Sequence, residues 1–255
     1  MPSFAPIRSV ERAVDVLLAL NRSPVCSLDQ LHRETRIPKP TLVRLLETLQ
    51  HKDIVTHAPR YGTYCLASGA KLLSAGYHGV PRIVEAASAP TNALTRKIKW
   101  PLAVAVLNYD AMTVCCSTIP SSPLALLHST INMRLSLVGR AMGRAYLAFC
   151  SREERKALLD LLKRSDNQED ALAHERGVAL AMLRKVRQQG YALREPGIRP
   201  VSRTLAVPIM DERRVVATLG MTWIASAVSD EQAVERYLEP IRNLAHLIGT
   251  RLGNL

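Results

Sequence analysis

The chain has no long apolar run. Its 255 residues are broken by charge and proline throughout, and no stretch reaches the roughly 18 to 20 continuous apolar residues that a membrane span needs. The opening MPSFAPIRSVERAVDVLLAL ends in a short apolar run with Glu11 and Asp15 close by, which does not fit a secretory signal. Both absences lead to the expectation of a cytoplasmic protein with no membrane partner. Cysteine is scarce too. Cys26, Cys65, Cys115, Cys116 and Cys150 are five in number and form no C-x-x-C pair, so a disulfide framework is not indicated. Adjacent Cys115 and Cys116 sit in a strand-like run and are expected on opposite faces. They read as small buried hydrophobes, with a redox or ligand-contact role as the alternative.

Motifs for catalysis are also missing. The seven histidines form no H-x-x-x-H or H-E-x-x-H pattern, which removes the zinc-hydrolase signal. There is no G-x-S-x-G and no G-K-[ST], hence no nucleophile elbow or phosphate loop. GRAMG, residues 139–143, is too short for a dinucleotide loop and reads as tight helix packing. Pairs such as Glu153/Glu154 and Asp211/Glu212 fall on helix starts or turns, as solvated charges do. No enzyme, cofactor or metal is expected.

What is present is a basic chain with a core. Apolar residues make up 47%, the net charge is +12 and the pI is near 9.9. One or two domains fit that length. Residues 1–80 carry a net +4 and residues 81–255 a net +8, so the charge is spread over the chain. Such a field favours a polyanion, though anionic small molecules are served by it equally.

Apolar residues from Ile7 to Leu20 keep one face of a helical period. Ser27 with Gln30 forms a capping box ahead of a helix over 28–35. After a tight turn at Arg36 and Ile37, a third helix runs from Lys39 to about Lys52, with Leu42, Leu45, Leu46 and Leu49 as its stripe. Pro38 and Pro40 fall in or before its first turn, where a missing N–H costs no internal bond. Two strand-like runs, 54–57 and 63–66, flank the basic tip APRYG. Three helices with a short middle turn and a two-stranded wing make a winged helix-turn-helix. Lys39, Thr41 and Arg44 stand where such a helix enters a major groove, and Thr41 and Arg44 where base edges are reached. Arg60 and Tyr61 sit at the wing tip, and Arg8, Arg12 and Lys52 suit backbone phosphates. The competing reading makes all of these solvated residues on a small helical domain.

Residues 67–90 read as a linker helix region, and helical periodicity continues from Ile83 to Ile98. Beyond it, 91–255 mixes strands and helices. LAVAVLNYDAMTVCCSTI is a hairpin about NYDA, and a second strand pair turns at 211–214. Helices are expected after Val138, from Ser151 to Leu162, over ALAHERGVALAMLRKVRQQ to Gly190, and from Ser229 onward. An antiparallel sheet with helices around it follows, giving an α+β chain. A sensor pocket in that domain draws on Cys115, Met142, Tyr146, Thr204, Met221 and Trp223, with His128 and Arg140 for an anion. Trp100 either walls that pocket or fills the core.

The segments RSVERAVDVLLAL (8–20), IPKPTLVRLLETLQHKDIV (37–55), YCLASGAKLL (64–73), VGRAMGRAYLAF (138–149), QQGYA (188–192) and LAVPIMDERRVVATLGM (205–221) stand in a characteristic order and spacing. In them the chain resembles IclR-family bacterial transcription regulators over nearly its whole length. RLLETLQ, KWPLAV and LAFCSREERKALLDLL carry a narrower likeness to the subgroup controlling aromatic-acid catabolism, similar to activators of 3-(3-hydroxyphenyl)propionate degradation. The resemblance implies domains at 1–66 (DNA-binding), 67–90 (linker helix) and 91–255 (a GAF/PAS-like effector domain). It also implies double-stranded operator DNA, a small aromatic acid effector, a homodimer or homotetramer, and contact with RNA polymerase. Pro40 departs from the family's usual serine, Asp53 from its usual glycine, and residues 202–205 from its usual approach to the following strand. An enzyme acting on an aromatic acid, with a basic accessory domain, and a nonspecific nucleoid or interaction protein are the alternatives.

Overall fold

The computed structural model describes residues 5–23, 25–75, 82–195 and 197–253. Residues 1–79 and 80–255 form two compact units. Part of the expected linker, residues 76–81, lies outside the described residues.

In the first unit α1 (Arg8–Arg22) leads through β1 (Cys26–Ser27) to α2 (Leu28–Thr35) and α3 (Lys39–His51). Then come β2 (Val55–Ala58), β3 (Thr63–Leu66), a 3-10 turn and α4 (Leu72–Ala75). Both halves of the Ser27–Gln30 capping box form. Arg36 adopts the left-handed conformation, φ 57°, and reverses the chain into α3. Pro38 caps that helix, and its carbonyl accepts from the Leu42 N–H at 3.0 Å. The absent N–H of Pro40 therefore breaks no bond. Val16, Leu20, Leu31, Leu42, Leu46 and Val55 close the core. The wing hairpin pairs with β1 as a third strand, in the order β1-β3-β2, and that two-residue strand gave no periodic signal in the sequence. Asp53 takes φ 57°. A Cβ at Gly69 would overlap its carbonyl, so this left-handed turn is packed shut.

The second unit holds α5 (Arg82–Ile98), β4 (Leu102–Asn108), β5 (Ala111–Ser117), β6 (Arg134–Ser136), α6 (Ala141–Phe149) and α7 (Arg152–Leu162). It continues with α8 (Arg176–Gln189), β7 (Ala192–Leu193), β8 (Ser202–Asp211), β9 (Arg214–Ile224) and α9 (Asp230–Gly253). One antiparallel sheet runs β6-β5-β4-β9-β8-β7. On one face Val104, Leu205, Leu219 and Met221 pack against α5 and α9. Ala105, Met112, Val114 and Ala206 on the other face meet α6, α7 and α8. Pro208 fits inside β8 because β7 pairs only as far as Ala206, so no neighbour asks for its missing N–H.

Two expectations are corrected. The helix expected from Ala171 begins at Arg176; Gln168–His174 form a 3-10 turn, and Glu175 breaks the run at φ −98°, ψ 69°. Cys115 and Cys116 share a face. The β4/β5 register shifts between Val104 and Ala105, so Cys115 is an extra residue, and both thiols lie on the α5/α9 side.

Candidate DNA interface and effector cavity

At the N-terminal end of α3, Lys39 and Arg44 are exposed and Thr41 is half-buried, because the opposite face carries Leu42 and Leu46 into the core. Lys39 is engaged: its Nζ lies 2.7 Å from Asp29 Oδ1 on α2, and this holds the Asp29 carboxyl below its ordinary pKa. Lys52, just past the helix, is exposed. The wing turn presents Arg60 and Tyr61, the tyrosine 74% exposed, while His57 and Tyr64 stack behind it with centroids 4.5 Å apart. Arg8 is exposed and Arg12 half-buried on α1.

A cavity of about 360 Å³ opens in the second unit on the α6 face of the sheet. Of the expected effector residues it gathers Arg140, Met142 and Thr204. Alternation along the strands explains the rest: Thr204 and Thr222 face the cavity, with their hydroxyls 3.1 Å apart, and Met221 and Trp223 face the other layer. Trp100 and Cys115 pack in that layer as well. Tyr146 lies in the core of the near layer, donating to Glu154 Oε1 at 2.6 Å. His128 is exposed on the loop whose Leu126, Leu127 and Thr130 line the cavity.

Among the cavity residues missed from the sequence are Arg194, Arg199 and Ser202. Arg194 is 5% exposed. One guanidinium nitrogen donates to Ser202 Oγ at 2.8 Å and to the Ser202 carbonyl. Its Nε has no hydrogen-bond partner among the described residues. Burial, helped by nearby Arg140, Arg199 and Arg203, lowers its pKa to about 10, so it stays charged at neutral pH. Beside it is the start of α6, where Ala141 and Met142 line the cavity. First-turn N–H groups have no intrahelical acceptor and carry partial positive charge. The remaining wall is mostly apolar, with Leu102, Val114, Met133 and Leu135 among its residues. No local signal in the sequence marked Arg194, which stands just past the two-residue β7.

Among the described residues no group of His, Cys, Asp and Glu could hold a metal ion, and no helix is long and apolar enough to cross a membrane. A winged helix-turn-helix joined on one chain to a cavity-bearing sheet domain defines a DNA-binding regulator. The model of the IclR helix-turn-helix domain matches residues 9–59, and that of the bacterial transcriptional regulator IclR C-terminal region matches 76–250. The chain belongs to the IclR family of bacterial transcriptional regulators. It is 28% identical to the HTH-type transcriptional regulator XynR of Escherichia coli K12 over 97% of this chain and 98% of that one. With KdgR of the same organism it shares 24% identity, over 97% and 93%. Among solved structures, Thermotoga maritima IclR matches with a TM-score of 0.66 at 19% identity, over 96% of this chain and 99% of that one. An IclR homologue from Microbacterium hydrocarbonoxydans, complexed with 4-hydroxybenzoate, matches at 0.63 and 18%, over 97% and 100%.

Proposed function

We propose that this regulator is an activator of aromatic catabolic genes that responds to a small aromatic carboxylate. Each DNA-binding head places α3 in a major groove. Thr41 and Arg44 read bases there, with an arginine-to-guanine pair as the leading contact. Lys39, Lys52, Arg60, Tyr61, Arg8 and Arg12 hold phosphate or the minor groove. Two heads on a homodimer, or pairs of them on a homotetramer, match a roughly palindromic operator. The exposed stripe Ile7, Val10, Val14 and Leu18 on α1 suits docking of a second copy. The sheet domain, which we read as GAF/PAS-like, takes the effector and alters the heads or their contact with RNA polymerase. That requires unequal effector affinity for two states of the protein.

One observation carries the effector class: a charged, buried Arg194 with an unpartnered Nε in an otherwise mostly apolar cavity. Buried charges call for a counter-ion, and the apolar walls suit a ring. The volume falls within the roughly 300–1,000 Å³ usual for small-molecule sites. The aromatic class is supported by the sequence's likeness to aromatic-acid regulators and by the 4-hydroxybenzoate held by the Microbacterium homologue. The test is selection of duplex DNA by purified protein, repeated with a panel of aromatic acids. A preferred operator and an acid-dependent change in its binding are expected, with the acid effect lost in Arg194→Met. No preference for any duplex would overturn the DNA reading. A full acid response in Arg194→Met would overturn the effector site.

A further inference from the structure

We infer that Glu169 sets the charge of the effector: by occupying Arg140 at the cavity wall it leaves Arg194 as the buried cation open to an anion, and so restricts the cavity to monocarboxylates. This rests on the effector reading above and adds the valence of the ligand to it.

Arg140 lines the cavity and precedes α6. Its Nε donates to Glu169 Oε2 at 2.7 Å, and a second guanidinium nitrogen donates to Oε1. The fork is therefore bidentate, the arrangement in which arginine binds a carboxylate most firmly. Glu169 is well anchored. Its N–H donates to Asn167 Oδ1 at 3.1 Å. The next residue, Asp170, is buried and accepts from Ser136 Oγ at 2.5 Å and Ser165 Oγ at 2.7 Å. These bonds fix the backbone of Glu169 beside Arg140, and the bidentate contact itself holds the side chain.

The charges around the cavity then resolve simply. Arg144 pairs with Glu195 and Arg203 with Asp230. Arg199 is exposed, where water and salt screen its charge. Arg140 is paired with Glu169, whose charge is also felt by Arg194 without forming an ion pair with it, so Arg194 is the buried lining cation with no carboxylate at salt-bridge distance among the described residues. One carboxylate on a ligand meets Arg194. A second, across a ring from the first, either faces the apolar wall, where an unpaired charge is costly, or displaces Glu169 from Arg140.

The experiment is calorimetric titration of the full chain without DNA, using 4-methylbenzoate and terephthalate, which share a shape and differ in one charge. Wild-type protein is expected to bind the monoacid at least tenfold more tightly. Glu169→Gln, which frees the charge of Arg140, is expected to narrow or reverse that ratio by tenfold or more. The double variant Arg140→Gln/Glu169→Gln, with no net charge change, is expected to restore the wild-type preference. Equal wild-type affinities, or a ratio unmoved by Glu169→Gln, overturn the inference. Should Glu169→Gln fail to fold, Glu169→Ala takes its place, and a ratio unmoved in it overturns the inference equally. Binding of neither these acids nor any of the panel would overturn the effector reading itself, and this inference with it.

Discussion

Arg44 presents a guanidinium to solvent from the first half of α3, one turn after Thr41, while Lys39 on the same helix is held by Asp29. Base reading therefore falls on Arg44. Replacing it with alanine is expected to weaken specific operator binding by about 1–3 kcal/mol while leaving nonspecific binding nearly intact, as read by a shift assay against operator and random DNA. The thiols follow the opposite logic. Burial lifts Cys115 to about 12 and Cys150 to about 11, which cuts the Cys115 thiolate population by roughly a thousandfold. Cys26 and Cys116 are buried, and Cys65 on the wing is half-exposed. Native protein at pH 8 should therefore alkylate promptly at one thiol per chain, and Cys65→Ser should abolish it; fast labelling at Cys115 would count against this. The candidate site was partly legible at this scale. Arg140, Met142 and Thr204 follow from their positions near the α6 start and on β8, but Met221 and Trp223 could not be assigned to a face without the strand register. The sequence also gives no hint that Glu169 reaches back to Arg140 from 29 residues away.

Among the elements, α6 is held closely at both ends. A Cβ at Gly143 would overlap the Ser136 carbonyl and the Leu137 backbone, so the helix crosses the chain where only glycine fits. Its far end is tied by Arg155, which donates to the Leu147 and Cys150 carbonyls, and by Arg187, which donates to Ala148. Gly143→Ala is expected to destabilise the chain by on the order of 1–3 kcal/mol, seen as a lower urea midpoint. It should also weaken acid binding, since the cavity wall moves with the helix. Helix starts were legible because their chemistry is local: Ser27, Ser151 and Ser229 each accept from the backbone N–H three residues on. The strands β1, β6 and β7 were not. They hold two or three residues each, too few for any periodicity, and exist only because a longer neighbour supplies the ladder.

At the scale of the whole molecule, a net charge of +12 makes DNA binding strongly salt-dependent, with log affinity falling by about 0.9 per phosphate neutralised for each log of salt. Assembly should depend on the exposed face of α1. Val10→Glu with Val14→Glu, at positions 57% and 47% exposed, is expected to reduce the oligomer to a smaller species by light scattering. It should also lower operator affinity through loss of paired heads; an unchanged mass would place the contact elsewhere. The sheet, by contrast, offers little to another chain. Its outer strands are three and two residues long, and the stretch of β8 beyond the shorter one carries Pro208. Clipped margins and a missing donor deny an incoming strand a template, so crowding in the cell should not drive these molecules to grow into fibrils through that sheet.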